Sequence, residues 1–289
     1  KEKWERHNGG GGLAATTPGQ KKGGRGHTNG LYAVMGTKGG VGATLLACSL
    51  AAAMSSAGRR VLLMEMDRIL SQLLYLKPRG GGKALLDLFP LAEEISWDLI
   101  KVSVHCHAGG FHLLPYGLLD DGGTGREKPL PESLLRNLLF LFDVVVQDFP
   151  YSSRSDFLPL LYHCPEVLLV SLPDTLGATC ARSTAAYLHR TGLDHDHLHL
   201  VVNRCGPHHA LNPGELARAA GMELLAALPD DPRSGLDFAE LGELPRDDSP
   251  LGKGVAVMAA ELGFGDMPPP KDSGLQLFKR LRGRSLSAT

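Results

Sequence analysis

Nine residues, Gly36-Thr37-Lys38-Gly39-Gly40-Val41-Gly42-Ala43-Thr44, restrict this chain more than any other stretch. An apolar run, Leu31 to Met35, precedes them, and a run of small residues, Leu45 to Ala57, follows. That order predicts a buried strand, a glycine loop and a helix, which is how a phosphate-binding loop is built. Glycines allow backbone N–H groups to turn inward and approach an anion closely. The helix behind them points its positive end at the same place. The usual pattern, G-x-x-x-x-G-K-[ST], fails twice: Thr37 stands at the first glycine and Ala43 at the phosphate lysine.

The rest of the chain repeats the alternation. Further strands are expected at Arg60–Asp67, Phe111–Leu114, Phe142–Asp148, Glu166–Leu172, Leu198–Asn203 and Glu223–Leu228. Helices are expected at Thr44–Ser56, Lys83–Phe89, Leu91–Ile100, Pro131–Leu141, Ser155–Tyr162, Asp174–His189, Pro213–Ala220, Leu236–Leu244 and Ser249–Leu262. Strands separated by helices predict right-handed βαβ units. The fold class is therefore α/β, a mainly parallel twisted sheet with helices on both faces. Ligands of such sheets sit at the carboxyl ends of the strands. The loop, Asp67, Asp148, Pro173-Asp174 and Asn203 all fall there, and their coincidence carries more weight than any single motif.

Three segments are expected: a flexible basic lead-in, residues 1–29; one nucleotide-binding domain, residues 30–265; and a Pro-led basic tail, residues 266–289. The 289 residues carry a net charge of −1. Residues 1–29 hold six basic against two acidic side chains, and residues 271–289 five against one, which leaves −9 on the body. An acidic body argues against a nucleic-acid surface. The tail sets Leu275, Leu277, Phe278 and Leu281 on one side of a helical wheel, a pattern for weak membrane contact or partner binding. Five cysteines without a C-x-x-C match a reducing, cytosolic setting and offer no cluster site. No run approaches the ~18 apolar residues of a membrane span. The chain opens on Lys1 rather than Met, which leaves room for a domain upstream.

Chemistry can be assigned position by position. Backbone amides from Gly39, Gly40, Val41, Gly42, Ala43 and Thr44 would hold phosphates, with the Thr44 hydroxyl on Mg²⁺. Asp148 ends an apolar strand, where an acid is expensive unless it serves a metal; the alternative is a helix N-cap or a strand-end surface acid. Asp67 could orient an attacking water, or be a turn acid. Asn203 could meet an adenine edge, although a lone Asn after a strand is also an ordinary turn residue. His195, His197 and His199 would share a strand face as metal ligands do, but flanking acidic turn residues put them in a loop.

Lys38-Gly39-Gly40-Val41-Gly42-Ala43-Thr44 resembles the deviant Walker motif of the MinD/ParA-type ATPases, KGGxGK[ST], a P-loop NTPase group with a signature lysine matched here by Lys38. The resemblance runs through VLLMEMD, FDVVVQDFP, EVLLVSLPD, VVNR and LPDDP, over about residues 31–262. KGGVGAT, MELLAALPDDP and DDSPLGKGVAVMAAEL resemble the CpaE/TadZ branch of Tad (Flp) pilus assembly. The resemblance implies ATP or ADP with Mg²⁺, bordered also by Leu45, Arg204, Pro229 and Asp230. It implies a nucleotide-dependent homodimer with Lys38 reaching phosphate across the interface, and catalytic roles for Lys38 and Asp67. It further implies a pilus or secretion-machinery partner, at a cell pole or the inner membrane face. Ala43 removes a charge-assisted contact of about 1.5–3 kcal/mol, which predicts binding with weak or no hydrolysis. An active ATPase positioning a septum, flagellum or DNA is the alternative. A redox iron protein is set aside, because paired cysteines at a dimer axis are lacking.

Overall fold

A computed structural model describes residues 30–67, 73–117, 130–151, 158–161, 164–207, 209 and 211–264. The expected lead-in and the basic tail with its amphipathic helix lie outside the described residues.

Eight strands form one sheet: β1 (Gly30–Gly36), β2 (Val61–Glu65), β3 (His105–Cys106), β4 (His112–Leu114), β5 (Val144–Phe149), β6 (Glu166–Ser171), β7 (Leu198–Cys205) and β8 (Glu223–Pro229). Their order is β3-β4-β2-β5-β1-β6-β7-β8, and every pairing is parallel except β3 with β4. The helices are α1 (Ala43–Ser56), α2 (Leu85–Leu88), α3 (Trp97–Ser103), α4 (Glu132–Leu141), α5 (Leu158–Leu161), α6 (Thr175–Arg190), α7 (Pro213–Ala220), α8 (Pro232–Leu241) and α9 (Pro250–Glu261). The expected α/β class and parallel sheet are what the chain adopts.

Burial explains the composition of the central strands. β1 lies between β5 and β6, with helices over both faces, so all seven of its residues are buried. That is why it reads as an unbroken apolar run rather than an alternating one. On one face Ala33, Met64, Val145 and Leu169 pack against α2, α3 and α4. On the other, Val34, Leu63, Val146 and Leu168 pack against α1 and α9. β1 leads to β2 on one side of itself, and β5 leads to β6 on the other. The chain therefore changes direction around β1, and the crevice outside the carboxyl ends of β5, β1 and β6 is the place where such sheets take ligands.

Several boundaries differ from the sequence expectation. α8 starts at Pro232, not Leu236, because the Asp231 side chain caps the Ser234 N–H and Pro232 fills the first helical turn. The expected helix at 91–100 is displaced: Ser96 caps the Leu99 N–H and starts α3 at Trp97. The helix expected from Lys83 shrinks to one turn, since Ala84 is extended and Gly80, Gly81 and Gly82 have positive φ. β3, the antiparallel edge strand, is too short to register as an apolar run.

Candidate functional site

The loop after β1 is fixed from several sides. The Thr37 N–H donates to the Val170 carbonyl of β6 at 2.9 Å. The Thr37 hydroxyl donates to Ser171 Oγ at 3.1 Å, and Ser171 donates onward to the Gly177 carbonyl of α6 at 3.0 Å. Val41 is buried in the α1–α9 core. Gly42 has φ 89°, and a Cβ there would stand 2.7 Å from Asn203 Nδ2. Only glycine meets both demands. Lys38 is half-buried, whereas Gly39 and Gly40 are exposed, and the Tyr151 ring lies beside Gly39.

α1 follows directly, with Leu46 N–H closing its first turn on the Gly42 carbonyl. No side chain caps this helix, and no acid lies in its first turn. Its leading N–H groups and dipole are therefore available to an anion. Ala43 and Thr44 are half-buried there, while Leu45 is buried in the core.

The acids at and just after the end of β2 gather around Asp148, which meets Thr44. Asp148 is 5% exposed and hydrogen-bonded by the Thr44 side chain. Its other oxygen, Oδ1, is buried without a hydrogen-bond partner. Burial is the main force that lifts the Asp148 carboxyl to about 7; Glu65 and Asp67 add to the rise, and the Thr44 hydrogen bond opposes it. Glu65 lies directly opposite Asp148 in the β2–β5 register and is likewise buried. Asp67 sits two residues past the end of β2, half-buried. A hydroxyl and a carboxylate with an unused buried oxygen are hard donors, and they fit a divalent cation of the Mg²⁺ kind.

Asn203 is brought to the loop, but its amide is engaged there. Nδ2 donates to the Val41 carbonyl at 2.9 Å, and Oδ1 accepts the Arg204 N–H at 2.9 Å. It braces the glycine loop, which sequence reading did not anticipate. Arg204 is exposed with φ 55°, and the Asp230 N–H holds the end of β8 to the Cys205 carbonyl. Arg204, Pro229 and Asp230 thus line the same end of the sheet, beside β7. The Thr37–Ser171 link and the Glu65 register were also missed; the small, polar end of EVLLVS was the available signal.

The histidine run is placed elsewhere. His195 and His197 lie in a 3₁₀ turn, and His199 lies on β7 with Nε2 2.8 Å from Glu166 Oε2. These are the amino ends of β6 and β7, away from the loop. His195 stacks on His189 with ring centroids 3.3 Å apart. Among the described residues, no group of three His, Cys, Asp or Glu side chains is arranged to hold a metal.

Comparison with known proteins bears directly on this geometry. Residues 32–238 match the CobQ/CobB/MinD/ParA nucleotide binding domain. The chain belongs to that family. The septum site-determining protein MinD of Thermotoga maritima is 24% identical over 212 residues, covering 67% of this chain and 72% of that protein. A ParA family ATPase from Chlorobium tepidum superposes with TM-score 0.72 at 17% identity, over 82% of this chain and 99% of the other. MinD of Pyrococcus horikoshii, complexed with Mg-ADP, gives 0.66 at 22% identity over 83% and 100%. Both structures share the fold of this family member. No helix among the described residues is long and apolar enough to cross a membrane.

Proposed function

We propose that this chain is an ATP-binding, MinD/ParA-like positioning or scaffold factor with weak or no hydrolysis, acting in Tad (Flp) pilus assembly or the localisation of a secretion system. The observation that carries the nucleotide reading is Asp148. A buried carboxyl with an unpartnered oxygen, touching the Thr44 hydroxyl beside an uncapped helix start, is explained by a cation that travels with a phosphate. The Mg-ADP complex of the Pyrococcus horikoshii relative supports the same ligand class.

On this reading the amides of Gly39 to Thr44, with Leu45 behind them, hold the phosphates, while Thr44 and Asp148 hold Mg²⁺. The cation supplies charge that neutralises the phosphates. Arg204, Pro229 and Asp230 border the base, and Asn203 acts by holding the loop. Asp67, at the mouth, orients water in whatever turnover remains. Lys38 replaces the charge that Ala43 lacks and reaches the phosphate of a second copy. The domain spans residues 30–265, between a basic lead-in and a basic tail that adds weak membrane contact at the inner membrane face or pole. The pilus assignment rests on the KGGVGAT and LPDDP stretches, and a partner protein on the MinC:MinD complex of an Aquifex aeolicus relative.

The test is Lys38→Ala. Light scattering with saturating Mg-ATP should show a dimer for the wild type and a monomer for the variant; an unchanged dimer refutes the role. Single-turnover phosphate release measures the rest. A rate that climbs many-fold with a partner sinks the scaffold reading in favour of an active positioning ATPase.

A further inference from the structure

Glu65 reaches beyond the acid cluster. Its Oε1 accepts the Leu73 N–H at 3.3 Å in a buried setting. Leu73 opens a 3₁₀ turn, Leu73–Leu76, whose first and last leucines are buried in the α1–α9 core. The far side of that turn rests on the end of α8. Gly242, buried and at φ 69°, terminates α8, and a Cβ on it would come within 2.5 Å of the Tyr75 carbonyl. One carboxylate therefore links β2, beside Asp148, to a turn that abuts the helix following Pro229-Asp230. An aspartate at position 65 would carry the same charge but be one methylene too short for Leu73.

We propose that Glu65 is a positioning residue that couples cation binding at Asp148 to the seating of the Leu73–Leu76 turn against α8. This rests on the nucleotide reading above. The physical basis is electrostatic. Glu65 faces Asp148 across the β2–β5 register, both side chains are buried and Asp67 lies two residues on, so like charges close together at low dielectric oppose a settled Glu65. A divalent cation held by Asp148 reverses the field at Glu65. The bond from Leu73 N–H then has a charged acceptor with a favourable neighbour, the stronger class of buried hydrogen bond. Tyr75 and, next to Gly242, Leu241 are exposed where the turn meets the end of α8, so the coupling carries the state of the site to the surface there.

Hydrogen–deuterium exchange of the Leu73–Leu76 amides in the full chain tests this, with calorimetry run in parallel. In the wild type, Mg-ADP should slow exchange about tenfold, the scale expected of a charge-assisted bond, and ADP with EDTA far less. Glu65→Asp should exchange fast in every state while still binding Mg-ADP. Glu65→Gln, which keeps the length and an acceptor, should retain the protection of the free protein and lose the Mg²⁺-dependent increment. A merely structural role would not make protection depend on Mg²⁺. Exchange that ignores Mg²⁺, quickens with it, or responds equally in Glu65→Asp overturns the coupling. A flat wild-type isotherm overturns the nucleotide reading instead. Should Glu65→Asp fail to fold, the wild type and Glu65→Gln decide the matter between them.

Discussion

Asp148→Asn should stabilise the nucleotide-free protein at pH 8 and leave its stability nearly unchanged at pH 5. Burial holds the Asp148 carboxyl at about 7 against an ordinary 3.8. The folded chain keeps a proton that the unfolded chain has already lost, so stability falls as pH rises from about 4 to about 7. Roughly three pKa units correspond to about 4 kcal/mol of destabilisation once the pH is well above 7. Asparagine removes the charge and keeps the shape, and its oxygen can still accept the Thr44 hydroxyl. Its NH₂ group is left buried without a partner, which costs about 1–3 kcal/mol. The net gain at pH 8 is about 1–3 kcal/mol, or a rise of about 2–10 °C in Tm for a domain of this size. At pH 5 the folded carboxyl is neutral but the unfolded one is already ionised, so only about 1.6 kcal/mol of that destabilisation is present; the amide penalty offsets it and the net effect of the substitution falls to about zero. Thermal unfolding by circular dichroism, in EDTA and without nucleotide, reads both values. The same Tm difference at both pH values would refute a buried, ionising Asp148. Calorimetry on the same variant should show that Mg²⁺ no longer improves ADP binding, a gain in stability bought with loss of function.

Two further substitutions probe the loop. Ala43→Lys restores the charge absent from the helix start; Mg-ADP affinity should rise about tenfold or more by calorimetry, and no change would count against phosphate at this position. Asn203→Ala removes the brace on the Val41 carbonyl and the acceptor for the Arg204 N–H. It should lower stability by about 1–3 kcal/mol in chemical denaturation and weaken ADP binding; unaltered affinity would mean the loop holds its shape without it.

The strands and most helices were legible because each central strand is an apolar run and helices such as α6 open on a capping side chain, Asp174 on the Gly177 N–H. What a single chain does not reveal is register. VLLMEMD offers two acids two residues apart, which point to the same side, and nothing local says which one meets Asp148. The parallel pairing of Val61 with Val144 decides it, placing Glu65 opposite Asp148 and leaving Asp67 at the mouth. The brace from Asn203 was not legible for the same reason: its partner, the Val41 carbonyl, is 162 residues away. The histidines alternate in sequence, yet a 3₁₀ turn interrupts the alternation before β7 begins.

These long-range braces bear on the meaning of Ala43. Thr37 is tied to β6, Val41 to Asn203, and Gly42 fits only because it lacks a side chain. The loop's backbone dipoles are thus set by the fold, with no contribution from the side chain at position 43. Binding a phosphate draws on such fixed dipoles, which carry no reorganisation penalty when the anion arrives. Hydrolysis asks for more, since charge that develops on the leaving oxygens must be met by charge nearby. An alanine at position 43 is therefore a selective change, tolerable for a protein that senses nucleotide and severe for one that consumes it. It follows that Ala43→Lys should raise single-turnover phosphate release by a larger factor than it raises affinity; equal factors would place the lysine in ground-state binding alone.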